Sequence, residues 1–249
     1  WGIAARFRDV NQVLSQFNPK FVEFHLTYTD LNFKKIASLN LGNVGVKVHT
    51  PELFENNFLL DLASNDKSVL KKSIDYMRRT IEISHEIYEN SDKSTALHLV
   101  INVGGHSDDD FLAKEKKKSL FEALLKSFQL LDFGKCIPCI QSMPPFPWHL
   151  GGRRFHNLFV EPEDFKFWND TTGIEFCLDF SHTFLSAKHL RLDFDQYIES
   201  VLPYSNYFHI ADSSGSDGEG LQIGSGEIDF RKLIERQLKG HEYEYIPEI

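Results

Sequence analysis

Three stretches near the C-terminal end of the chain decide its fold: CLDFSHT at 177–183, FHIADSSGSDGEG at 208–220 and IGSGEIDF at 223–230. Short apolar runs at 175–180 and 207–211 carry Asp179 and His209 near their ends. Side chains alternate between the two faces of a β-strand, so each of these polar residues lies opposite its apolar neighbours. The same pattern returns at Glu248. Strands of this kind are typical of β/α barrels, whose active sites lie at the C-terminal strand ends.

The composition sets the broad class of the protein. The 249 residues are 41% hydrophobic, enough for a large core, and no 18-residue apolar run is present, so no membrane contact is expected. A formal charge of −9 argues against a nucleic-acid partner. The N-terminus lacks the apolar stretch of a signal peptide, and three cysteines, an odd number, favour a reducing compartment. We therefore expect a cytoplasmic protein.

Cys136 and Cys139 form a CxxC pair. On a single strand they would face opposite sides, so two core cysteines are favoured over a zinc or redox site.

Short strands alternate with helices along the whole chain. Strands are predicted at 3–7, 20–26, 44–49, 96–103, 135–141, 175–180, 207–211 and 243–248. Helices are predicted at 9–17, 31–39, 67–89, 114–131, 163–169, 194–202 and 229–238. Eight strands alternating with helices predict a parallel sheet that closes as a (β/α)₈ TIM barrel. No linker or repeat interrupts the series, so residues 1–249 are expected to form a single TIM-barrel domain.

One face of the predicted strands is apolar, and the other collects polar side chains. The polar set is Glu23, His25, Lys47, His49, His98, Asn102, Gln141, Asp179, His209 and Glu248. Polar groups inside a barrel are costly unless they are paired or bind a metal ion, so this face predicts a functional site.

Four motifs carry a family resemblance: VHTP at 48–51, DFSH at 179–182, HIAD at 209–212 and IGSGEIDF at 223–230. By their order and spacing the chain resembles the xylose-isomerase-like TIM barrels over essentially its whole length. That family includes sugar-phosphate isomerases and epimerases and, more distantly, endonuclease IV. Similar domains are fused to sialic-acid-synthase-type enzymes. Since the chain begins at Trp1 and shows no eighth helix, we expect a domain excised from a longer polypeptide with covalently linked synthase domains.

The resemblance implies one divalent metal ion at the ends of strands five to eight. Its ligands by position are Gln141, Asp179, His209 and Glu248. Oxygen ligands with one imidazole suit Mn²⁺, Mg²⁺ or Co²⁺, and Zn²⁺ less exclusively. The resemblance also places His182 over the site, against a substrate oxygen or a second metal ion. Glu248 and His182 are the expected catalytic residues.

Gln141 departs from the family pattern, in which the strand-five and strand-eight ligands are glutamates that form an acid/base pair. A carboxamide can bind a metal ion through its oxygen but cannot accept a proton at neutral pH. Three alternatives follow. In the first, Glu248 acts as the single base, with His182 or Lys47 as a proton relay. In the second, the site performs metal-assisted elimination or hydrolysis. In the third, the domain binds sugars without catalysis and regulates a larger carbohydrate-biosynthesis enzyme.

Substrate contacts are expected from the strand ends and from the long loop after strand five. In that loop Trp148 is predicted to stack on a sugar face, and Arg154 to clamp a phosphate or carboxylate. The alternative is a loop whose arginines pair with Glu161 or Glu163. The predicted substrate-binding set is His49, Asn102, Trp148, Arg154, His182 and Asp212.

These observations favour a metal-dependent sugar isomerase or epimerase in carbohydrate metabolism. Its expected reaction is proton transfer next to a metal-bound carbonyl, on a sugar, sugar phosphate or sugar acid. A non-catalytic sugar-binding domain is the main alternative. Endonuclease-IV-like phosphodiester cleavage is disfavoured, because that activity needs a His- and Glu-rich three-metal cluster, whereas Asn102 and Gln141 stand where ligands would be wanted.

Overall fold

A computed structural model describes residues 1–33, 36, 39, 41–240 and 242–248. The eight strands β1 to β8 are Gly2–Ala5, Phe21–His25, Gly45–His49, His98–Ile101, Ile137–Gln141, Glu175–Asp179, Ser205–Ile210 and Glu244–Pro247. They follow one another in the main sheet in chain order. This is the strand order of a (β/α)₈ barrel, so the predicted fold class is confirmed.

Helices separate most of the strands. The helices α1 to α7 are Val10–Gln16, Lys67–Glu89, Lys114–Gln129, Pro162–Thr172, Phe180–Leu190, Phe194–Val201 and Phe230–Leu233, the last continued by a π-turn over Ile234–Leu238. Six of them lie where the sequence predicts helices, and α5 is the one it misses. Of the helix expected at 31–39, residues 34, 35, 37 and 38 lie outside the described residues, and Leu31 and Asn32 end a 3₁₀ turn over Tyr28–Asn32.

The contacts of the chain form two compact units. Unit 1 comprises residues 1–104 and 118–139. Its strands β1, β2, β3 and β4 pair in parallel, with Phe24 opposite Val48 and His25 opposite His49. Phe24 and Val48 are fully buried, as expected for the apolar face. The predicted long helix α2 begins at Asp66, whose carboxylate accepts hydrogen bonds from two backbone N–H groups of the first turn.

Unit 2 comprises residues 105–117 and those from 140 onward. Its strands β6, β7 and β8 pair in parallel. In this register Asp179 lies opposite His209, and Ile210 lies opposite Pro247, next to Glu248. The strand pairing therefore brings the polar strand ends together.

An aromatic cluster packs between α4 and β6 in unit 2. Phe159, Phe165, Trp168 and Phe176 are fully buried, with ring centroids 4.6–6.0 Å apart. Burying a side chain of this size stabilises the fold by about 1.5–3 kcal/mol. The cluster fixes α4 against β6 and so supports the strand that ends at Asp179.

All three cysteines are buried, which confirms the interpretation of the CxxC pair as core residues. Burial raises the pKa of the Cys136 thiol to about 12. None of the helices within the described residues is long and apolar enough to span a membrane.

Candidate active site

His209 lies at the centre of the strand ends in unit 2. Its side chain is fully buried, and its Nδ1 atom is 2.5 Å from Glu248 Oε2 and 3.0 Å from Gln141 Nε2. The oxygen and nitrogen of a glutamine amide are assigned from the hydrogen-bond network, and turning this amide would place Oε1 beside the ring. An imidazole nitrogen, a carboxylate oxygen and an amide group therefore converge on one point.

Asp179 is the neighbouring carboxylate and is 2% exposed. Its backbone N–H donates to Ser142 Oγ at 2.9 Å, and its Oδ1 accepts the backbone N–H of His182 at 2.9 Å. This second bond makes Asp179 the N-cap of α5, so the chain passes directly from strand to helix. Burial raises the pKa of Asp179, and the nearby Glu248 carboxylate raises it further.

His182 lies on the first turn of α5, with its ring fixed at both nitrogens. Nδ1 donates to the carbonyl oxygen of Ser142 at 2.8 Å, and Nε2 is 3.5 Å from Glu219 Oε2. Burial would lower the pKa of His182, but the carboxylates of Asp179, Glu219 and Glu248 outweigh it and the pKa is raised. Because Nδ1 is bound to a carbonyl, Nε2 is the nitrogen that can exchange a proton.

Asp212 holds the loop that follows β7. Its Oδ1 accepts the backbone N–H groups of Ser213 and Ile228, and its Oδ2 accepts those of Gly224 and Gly226, at 2.8–3.0 Å. Burial alone would raise the pKa of this carboxyl, but the four backbone donors outweigh it and the pKa is lowered. Through these bonds Asp212 stabilises the loop. A contact between Asp212 and a substrate stays a prediction.

In the loop after β5, Trp148 and Arg154 each contact an acidic residue. The Trp148 ring is 56% exposed, and its Nε1 donates to Asp217 Oδ2 at 3.3 Å. Arg154 forms an ion pair with Asp108. Of the two alternative partners expected for the loop arginines, Glu161 and Glu163, Glu161 pairs with Lys117 at 2.8 Å.

The predicted residues of unit 1 form their own polar contacts. His49 Nδ1 bonds the Thr50 carbonyl oxygen at 2.9 Å, and its ring stacks on His25 with centroids 4.8 Å apart. Asn102 donates its amide to Glu52. Lys47, fully buried, contacts His98 Nδ1. The polar inner face predicted from the strands is thus buried and paired, and substrate binding by His49 and Asn102 stays a prediction.

We call Gln141, Asp179, His209 and Glu248 the strand-end site. Its donors are two carboxylates, one imidazole and one amide, a set that suits a divalent cation. Burial, and to a smaller extent the Glu248 carboxylate, raises the pKa of Asp179, so the ionised form is disfavoured, and a cation would offset that cost. The residues therefore fit a divalent metal ion.

Two residues that support this site were not expected from the sequence. Ser142 binds both Asp179 and His182. Its only local signal is that it directly follows Gln141. Glu219 belongs to a small hairpin formed by Asp212–Ser214 and Gly218–Leu221, and nothing local marks it as a partner of His182.

Solved structures with the same fold include sugar epimerases. A D-tagatose 3-epimerase-like protein superimposes with a TM-score of 0.69 at 18% identity, covering 99% of this chain and 89% of that chain. A D-psicose 3-epimerase crystallised in the presence of D-fructose gives a TM-score of 0.65 at 12% identity, with coverages of 99% and 84%. Identities this low show a shared fold.

Endonuclease IV from Thermus thermophilus is similar as well, with a TM-score of 0.60, 14% identity and coverages of 100% and 91%. No curated protein sequence matches the chain. The sequence matches one family over residues 13–244, which is nearly its whole length. The chain belongs to the xylose isomerase-like TIM barrel family.

Proposed function

We propose that the chain is a sugar isomerase or epimerase-like protein that binds one divalent metal ion, Mn²⁺, Mg²⁺, Co²⁺ or Zn²⁺, in the strand-end site. The observation that carries the proposal is the convergence of Glu248 and Gln141 on His209 Nδ1, at 2.5 and 3.0 Å, beside the buried Asp179. When bound, the ion would supply Lewis-acid polarisation of a sugar oxygen.

Glu248 and His182 are the proposed proton-transfer residues. Glu248 is the most exposed carboxylate of the strand-end site, with 30% of its side chain accessible, so it can reach a proton on the carbon next to a sugar carbonyl. His182 presents Nε2, because Nδ1 is held by Ser142. The two groups would remove and return the proton.

The substrate in this proposal is a sugar, a sugar phosphate or a sugar acid. Solved relatives of the same fold include epimerases of ketoses, which supports the sugar class. Trp148 would stack on the sugar ring, and Arg154, after exchanging Asp108 for substrate, would hold an anionic group. A cytoplasmic location and linked synthase domains belong to the same proposal, and the odd number of cysteines supports a reducing compartment.

Deuterium exchange tests the chemistry directly. Wild type, Glu248→Gln and Gln141→Glu are incubated with Mn²⁺ and a panel of ketoses and ketose phosphates in D₂O. Incorporation next to the carbonyl is followed by NMR. The proposal predicts slow exchange by wild type, loss of exchange in Glu248→Gln and faster exchange in Gln141→Glu, because a second carboxylate is restored beside His209. Absence of exchange in all three proteins would contradict the enzymatic proposal.

A non-catalytic sugar-binding or regulatory domain is the second candidate, and Gln141 is the observation that favours it. The amide keeps the contact with His209 but cannot accept a proton. This candidate predicts that wild type binds sugars without exchanging their protons. Saturable sugar binding together with no exchange, even in Gln141→Glu, would select it.

A further inference from the structure

A second cleft lies in unit 2, apart from the strand-end site. It has a volume of about 200 Å³. Its lining includes Phe111, Lys117, His156, Val160, Glu161 and His189. None of the residues assigned above to metal binding or proton transfer lines it. Unlike the strand ends, it is built from two βα loops, the first turn of α3 and the last turn of α5.

One wall of the cleft carries two aromatic rings, Phe111 and His189, that pack against each other. The rings of Phe111 and His189 lie 4.8 Å apart at an angle of 32°. Phe146 and Phe155 meet Phe111 edge-on, with centroids 5.5 and 5.2 Å away, and Phe146 also meets His189 edge-on at 5.1 Å. These edge contacts fix the wall in place.

The polar groups at the cleft are one ammonium group and the two carboxylates that pair with it. Lys117 Nζ lies 2.8 Å from Glu161 Oε2 and 2.8 Å from Asp164 Oδ2, so two of its three donors are engaged and the third is left for a ligand. Two carboxylates surround one ammonium group, which disfavours an anionic ligand.

His156 adds a fixed acceptor. It is 1% exposed, and its Nδ1 donates to the Leu158 carbonyl oxygen at 2.8 Å. Burial lowers the pKa of His156 to about 3, so the ring is neutral at physiological pH. With Nδ1 carrying the proton, Nε2 is an acceptor.

We propose that this cleft binds a neutral hydroxylated ring, a monosaccharide or a cyclic polyol. The aromatic wall suits the C–H face of such a ring. The acceptors His156 Nε2 and Glu161, together with the remaining donor of Lys117, suit hydroxyl groups, which both donate and accept. The inference rests on the cleft itself and does not depend on the function proposed for the strand-end site.

D-fructose titration into the full chain tests the proposal, in a His209→Ala background that disables the strand-end site. Saturable binding is expected to persist in His209→Ala and to weaken roughly three- to tenfold when His189→Leu is added, because one ring of the wall is lost. Glu161→Gln, which keeps an acceptor but removes the charge, should weaken it less. Phe167→Ala removes an exposed aromatic ring of α4 outside the cleft and is the matched control.

Inorganic phosphate and cyclohexanol are the comparison probes. Both should bind more weakly than D-fructose. His189 is exposed, so His189→Leu is expected to fold, and its melting temperature checks this. The proposal is overturned if D-fructose does not bind the His209→Ala protein, if His189→Leu binds it equally well, or if either comparison probe binds more tightly.

Discussion

Replacing Asp212 by asparagine would remove one of the two oxygens that hold the loop after β7. Either orientation of the new amide keeps one acceptor, so two of the four backbone donors lose their partner. A hydrogen bond to a charged group contributes about 1.5–3 kcal/mol. Gly224 is exposed, so its N–H can bind water once the carboxylate oxygen is gone. The bond from Gly224 therefore contributes near the lower end of this range. The expected loss of unfolding free energy is about 3–4.5 kcal/mol, or roughly 6–18 °C in melting temperature.

Urea unfolding at neutral pH, followed by circular dichroism, measures this loss. Asp217→Asn is the control, because Asp217 lies in the same loop and accepts only two long side-chain bonds among the described residues, of 3.3 Å from Trp148 and 3.5 Å from Ser216. It should cost less than about 1 kcal/mol. The folded-state pKa of Asp212 is lowered from 3.8, so its stabilisation is complete above pH 3.8 and is lost as the pH falls through the lowered value. A loss no larger than that of the control, or a difference from wild type that disappears well above pH 3.8, would refute the reasoning.

Two further predictions concern the buried polar residues His156 and Ser142. His156 has a folded-state pKa of about 3 against an ordinary 6.5, so the unfolded chain binds the proton first and stability falls as the pH drops below 6.5, by about 1.4 kcal/mol per pH unit. His156→Gln should flatten this slope in urea unfolding between pH 6.5 and 4, and an unchanged slope would contradict it. Ser142→Ala leaves the Asp179 N–H without its acceptor and should lower the unfolding free energy by about 1–2 kcal/mol. Ser200→Ala, at an exposed position of α6, should leave the unfolding free energy nearly unchanged. Equal costs for the two serines would contradict it.

The strands were predictable because their side chains alternate with a period of two. That alternation placed Asp179 and His209 on the same side of adjacent strands, and the register confirms that they lie opposite each other. All eight predicted strands are present within a few residues of their expected bounds. Local periodicity was enough, because each strand buries one apolar face.

Helix α5 was missed because Asp179 was interpreted only as a strand end and metal ligand. The same side chain also caps the helix, through its bond from the His182 N–H. A residue that ends a strand and begins a helix leaves no intervening turn signal. The capping aspartate was the available clue.

The partners within the loops could not be predicted from the sequence. Arg154 pairs with Asp108, and His182 lies beside Glu219, each across a long stretch of chain. These contacts depend on the path of two loops, and loop paths follow tertiary packing more than local composition. Only the three-dimensional structure brings the second carboxylate to His182.

Metal binding by the strand-end site is the central claim, and thermal unfolding with and without metal tests it most directly. Protein stripped with EDTA should gain about 2.7 kcal/mol of stability when Mn²⁺, Co²⁺ or Zn²⁺ is supplied at about 100 times its dissociation constant. The corresponding rise in melting temperature is roughly 5–10 °C. His209→Ala and Asp179→Asn should abolish the rise, while His189→Leu should keep it. A wild-type protein indifferent to all three ions, or an equal rise in His209→Ala, would contradict the account.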